Sequence, residues 1–75
     1  MKMLTVRTKI QYKKAAKIAA RVGEVDIDGA KLICHDAYDW EVVDVNGNTV
    51  DTAAHWETLA YLFIPGMMKY ENLYR

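Results

Sequence analysis

The sequence predicts an α+β domain: an antiparallel sheet of three to five strands with two helices, in the order β-α-β-β-β-(β)-α. Three observations carry this. A helical apolar stripe runs through residues 9–22, behind a capping pattern. Residues 24–52 break into short alternating segments punctuated by Asp28-Gly29 and Asn46-Gly47. A second helical stripe follows and is stopped by Pro65-Gly66. The chain has 75 residues, so a single domain over 1–75 accommodates all of this.

Each element has its own local reason. Residues 2–7 (KMLTVR) alternate weakly, with Leu4 and Val6 on one face, and read as a short strand. "TKIQ" at 8–11 is a capping-box pattern: Thr8 accepts from the amide of Gln11 while Gln11 reaches back. A helix then runs from about Lys9 to Val22, and Gly23 takes the left-handed position beyond its end. With about 100° per residue, Tyr12, Ala15, Ala16, Ile18, Ala19 and Val22 share one side. Alanine on that side allows the helix to approach a sheet closely. Ile10 falls on the opposite side and is the one apolar residue out of place.

"EVDIDG" (24–29) places Val25 and Ile27 inward and Glu24, Asp26 and Asp28 outward, with Asp28-Gly29 as a turn. "AKLICH" (30–35) returns, "DWEVVDV" (39–45) is the next strand, and "NTVDT" follows the Asn46-Gly47 hairpin signal. A second helix is expected to start near Thr52 or Ala53, with Trp56, Leu59, Ala60 and Phe63 as its buried stripe. Trp40 and Trp56 read as core residues, and Tyr38, Tyr70 and Tyr74 as more exposed. No internal repeat or low-complexity segment is visible.

The formal net charge is zero, yet the charges are segregated. Residues 1–22 hold seven of the ten cations and no acid; residues 23–66 hold nine acids against Lys31. One side of the molecule is expected to be basic and another acidic, which bears on partners rather than on fold. On the first helix, Lys13, Lys14, Lys17 and Arg21 fall within about 100° of arc, opposite the alanines. Like charges at these spacings each destabilise a helix by roughly 0.2–0.5 kcal/mol if unpaired.

Catalytic chemistry finds little support. The chain has no serine, so a Ser-His-Asp arrangement is excluded. Cys34 and His35 are strand neighbours and point to opposite faces; Cys34 reads as a half-buried small hydrophobe. No CxxC or HxxxH spacing suggests a metal, and the four glycines are each explained by a turn or cap rather than by a phosphate loop. His55 reads as a surface histidine near a helix start. A protein without enzymatic activity, cofactor or metal is expected. A single cysteine, no signal-peptide pattern and no apolar run long enough for a bilayer point to a soluble intracellular protein without membrane contact.

"KKAAKIAA" at 13–20 resembles the KKxAK helix start of double-stranded-RNA-binding domains, whose lysines grip phosphates. That family places the helix last, after its strands, whereas here it comes first. In size, single-domain α+β build, lack of catalytic groups and strong charge patches, the whole chain resembles the small phage-encoded inhibitors of the anti-CRISPR type. That resemblance implies a stoichiometric inhibitor in the host cell cytoplasm. It would occupy a surface on a CRISPR effector or another nucleic-acid-handling complex. Two contact patches are expected: the basic face (Lys13, Lys14, Lys17, Arg21) and the acidic strand edge (Glu24, Asp26, Asp28). A nucleic-acid-binding module using the basic helix is the first alternative. A homodimeric module is the second, motivated by the surplus apolar residues Tyr61, Leu62, Ile64, Met67 and Met68.

Overall fold

The computed structural model describes residues 3–69. Helix α1 (Lys9–Val22) is followed by four strands, β1 (Glu24–Ile27), β2 (Ala30–Asp36), β3 (Asp39–Val43) and β4 (Thr49–Ala53), and by a 3₁₀ helix, η1 (Trp56–Leu62). The strands form an antiparallel meander in the order β1-β2-β3-β4. Both helices cover one face of this sheet, α1 over β1 and β2, η1 over β3 and β4. The α+β class read from the sequence is the observed one.

The β1–β2 hairpin follows from the Asp28-Gly29 pair. Both residues have positive φ, 51° and 92°, as a two-residue turn of the primed type requires. The turn fixes the register: Ile27 faces Ala30, Asp26 faces Lys31 and Val25 faces Leu32. Val25, Ile27 and Leu32 are thereby buried together. They meet Ala15, Ala16 and Ala19 of α1, which are also buried. Trp40 and Val42 extend this core across β3, and Leu59, Ala60, Ile64 and Met67 close it from the C-terminal side.

Tyr12 ties the two helices. It is fully buried and its hydroxyl donates to the carbonyl of Trp56. Its ring centroid lies 5.6 Å from that of Trp56 and 5.7 Å from that of Phe63. Burial lifts the phenol pKa far above its ordinary value, with the nearby Glu57 charge as the smaller cause, so the hydroxyl stays protonated and donating.

Four expectations are corrected. The expected strand at 2–7 does not form over its described residues, 3–7: Leu4 makes an isolated parallel bridge to Ile27, through its N–H to Asp26 O and from Asp28 N–H to its own carbonyl. Beyond it the Val6 N–H points to the Asp28 carboxylate at 3.4 Å, so a side chain replaces the next rung of the ladder. The second helix starts at Trp56, not near Thr52 or Ala53, because these two residues pair with Glu41 and Trp40 and remain in β4. β3 stops at Val43 because the Asp44 carboxylate accepts from the N–H groups of Asn46 and Asn48, both at 2.9 Å, and shapes a longer loop. Val22, expected inward, is exposed, since the chain reverses at Gly23 straight into β1.

The apolar surplus that motivated a dimer is largely absorbed within the chain. Ile64 and Met67 are buried, Tyr61 and Leu62 pack partly against the core, and Met68 stays exposed. Tyr70 and Tyr74 lie outside the described residues.

Candidate functional site

The candidate site is the outer face of α1, and the sequence fixes that helix at both ends. Thr8 Oγ1 accepts from Gln11 N–H at 3.2 Å, and Gln11 Oε1 accepts from the N–H groups of Thr8 at 3.2 Å and Arg7 at 2.7 Å. This is the reciprocal capping box. At the other end Gly23 adopts φ 104° and donates its N–H to Ala19 O at 2.8 Å. A Cβ at this position would meet open space, so only backbone strain opposes it. Gly23→Ala is therefore expected to destabilise the protein by about 1–2 kcal/mol. A lower urea midpoint with an unchanged denaturant slope would register it.

With Tyr12, Ala15, Ala16 and Ala19 turned to the core, Lys13, Lys14, Lys17 and Arg21 are all exposed on the opposite face. No acid occupies α1. Lys14, Lys17 and Arg21 make no ion pair among the described residues. Lys13 shares the face and has a partner of its own. Ile10 stands among these cations and is 71% exposed.

The acidic strand edge is arranged differently. Glu24 pairs with Lys31 at 3.1 Å and Asp28 with Arg7 at 2.9 Å. Glu24, through its hydrogen bond and charge, and then the Asp26 charge hold the Lys31 ammonium above its ordinary pKa. Two cations of the chain thus balance the three acids of this edge in part. The structure does not bring the two expected patches onto one surface. Glu24 and Asp26 project from the sheet face away from α1, since Val25 and Ile27, which alternate with them, point to the core.

Two polar clusters escaped sequence reasoning. On the sheet face opposite the helices, Glu41 accepts from Thr49 Oγ1 and lies 2.7 Å from His35 Nε2. The Thr49 hydrogen bond, and after it His35, draws the Glu41 carboxyl below its ordinary pKa. On the other face Asp51 accepts from Tyr61 Oη at 2.5 Å, from Lys69 Nζ at 2.9 Å and from the Thr52 N–H at 2.8 Å. In the first cluster the Thr49 hydroxyl donates to the Glu41 carboxylate; outside both clusters the Cys34 thiol donates to Asp36 O at 3.3 Å. Among the described residues no group of three or more His, Cys, Asp or Glu is placed to hold a metal ion. No helix among them is long and apolar enough to cross a membrane.

Comparison with known proteins identifies no relative: no family model matches the chain, and no match is found among curated proteins or solved structures.

Proposed function

We propose that this chain is a non-catalytic binding protein that docks through the basic face of α1 onto an acidic surface of a larger, nucleic-acid-handling complex. In doing so it inhibits that complex, in the manner of the anti-CRISPR type of inhibitor that it resembles. One observation carries the reading: Lys14, Lys17 and Arg21 stand exposed on one face of a doubly capped helix with no carboxylate of the described chain paired to them. Lys17/Arg21 and Lys14/Lys17 repel each other in the free protein. An acidic partner removes that repulsion on binding and steers the encounter. Capping and alanine packing hold the helix in place, so little order has to be acquired at the interface.

Direct binding to nucleic acid is less well supported. The nine acids of residues 23–66 would repel phosphates from much of the surface. The aromatic side chain of α1, Tyr12, is buried and offers no stacking platform.

The test is a charge reversal on exposed positions. Lys14→Glu with Lys17→Glu is expected to leave the circular dichroism spectrum unchanged. It should also abolish salt-sensitive capture of a protein complex from host lysate that the native chain achieves. Equal capture by both proteins refutes the reading. A shift of short DNA or RNA duplexes by the native chain, weakening steeply with salt, would instead establish the nucleic-acid module.

A further inference from the structure

We infer that Ile10 is the apolar anchor of the docking face, so that the partner is an acidic protein surface carrying an apolar socket rather than a phosphate backbone. This rests on the docking reading above and names the chemistry of the partner. Ile10 lies three, four and seven residues before Lys13, Lys14 and Lys17, so all four project from one side of α1. The helical rise puts Ile10 and Lys17 roughly 10 Å apart along the axis. A partner that reaches Lys14 and Lys17 therefore covers Ile10 as well.

Ile10 is one of several exposed large apolar residues, and it is the one that stands among the cations of α1. It is 71% exposed and stands outside the hydrophobic core. A β-branched residue is also a poorer helix former than alanine, so local propensity does not favour it. Residue 12, which a hydrophobic staple would use, is Tyr12 and is committed to Trp56 and Phe63. In an interface the same side chain has a clear role. An apolar residue that enters a pocket and loses its water, ringed by charges that meet opposite charges, is how binding energy concentrates on few residues. Against a phosphate backbone an isoleucine gains no comparable contact, since those contacts are made by cations and hydrogen-bond donors.

The immobilised full-length chain can be used to select from a phage-displayed library of random dodecapeptides, with selected peptides then titrated against variants. The expected peptides combine Asp or Glu with an aliphatic or aromatic residue. Ile10→Ser is expected to weaken them by about tenfold or more, and Lys14→Glu with Lys17→Glu likewise. The Ile10 methyl resonances should shift on addition of peptide and stay in place on addition of a short DNA duplex. Because Ile10 is exposed, the serine variant keeps the native fold. Peptides that lose binding to the lysine variant but not to Ile10→Ser overturn the anchor and leave the docking face standing. Peptides indifferent to both, or a selection that enriches no acidic sequence, overturn anchor and face together.

Discussion

Replacing Tyr12 with alanine is expected to remove about 3–5 kcal/mol of stability, a typical loss for a large aromatic cut from a packed core. Small domains hold roughly 5–15 kcal/mol in total, so the variant should be substantially unfolded under mild denaturing conditions. The size of the effect comes from position. Tyr12 is the side chain through which α1 meets both Trp56 and Phe63, and it is fully buried. Tyr12→Phe separates the contributions. It keeps the ring contacts and removes the donor to the Trp56 carbonyl, so a loss of about 1–2 kcal/mol is expected. Urea titrations followed by tryptophan fluorescence measure both. A phenylalanine variant as damaged as the alanine one would mean that the hydroxyl, not the ring, holds the helices together. The phenol also sets an alkaline limit. Its folded pKa is raised above the unfolded value of 10.0, so the unfolded chain releases its proton first. The stabilisation is complete below pH 10 and declines as pH rises further.

Tyr12 also marks what could be read from the sequence. Its place in the apolar stripe, the Thr8–Gln11 capping box and the left-handed Gly23 are local features, and all three stand in the structure. The same holds for Val25, Ile27 and the Asp28-Gly29 turn. The sequence pattern sets the start of the second helix too early because Thr52 and Ala53 suit a helix start as well as a strand. Pairing with Glu41 and Trp40, a tertiary contact, decides for the strand. The 2–7 segment alternates like a strand, but after one bridge to Ile27 the Asp28 carboxylate takes the Val6 N–H. No local pattern announces that exchange.

The site was legible in unequal parts. Helical spacing alone set Lys14, Lys17 and Arg21 on one exposed face, because a capped helix leaves no freedom in where successive residues point. The balance of the acidic edge was within reach: a two-residue turn at Asp28-Gly29 places Lys31 opposite Asp26 and diagonal to Glu24. The Arg7–Asp28 pair was not, since it depends on the path of the chain before α1. Likewise the His35–Glu41–Thr49 cluster depends on the register of three strands, one of them carrying a bulge at Val50 between the pairs Val42–Asp51 and Val43–Thr49.

The Asp51 clamp was equally invisible in the sequence, and its removal is the second large effect expected. Its carboxylate joins β4 to η1 through Tyr61 and to the segment beyond through Lys69, and it also holds the Thr52 N–H. Asp51→Ala removes this shared acceptor; Tyr61 is half-buried whereas Lys69 and Thr52 are exposed to water, so a loss of about 1–2 kcal/mol is expected. Amide exchange should quicken most in η1, because that helix is seven residues long and leans on β4 for its position. Asp51→Asn keeps an acceptor for the Tyr61 hydroxyl but gives up the charge facing Lys69, so its effect should be smaller and should depend on pH. The Tyr61 hydrogen bond first, then Lys69, and more weakly the Thr52 N–H, hold the carboxyl below its ordinary value of 3.8. A depressed carboxylate stabilises the fold fully above the unfolded pKa and loses that contribution as pH falls through the folded one, because the unfolded chain binds the proton more readily. The native protein should therefore lose more stability between pH 4 and lower values than Asp51→Asn does. Glu41, depressed by Thr49 and His35, adds to the same acid limb, so Asp51→Asn flattens it without abolishing it. If the two proteins lose stability in parallel over that range, the contact with Lys69 carries no charge-dependent stabilisation, and the clamp reduces to the neutral hydrogen bonds of Tyr61 and Thr52.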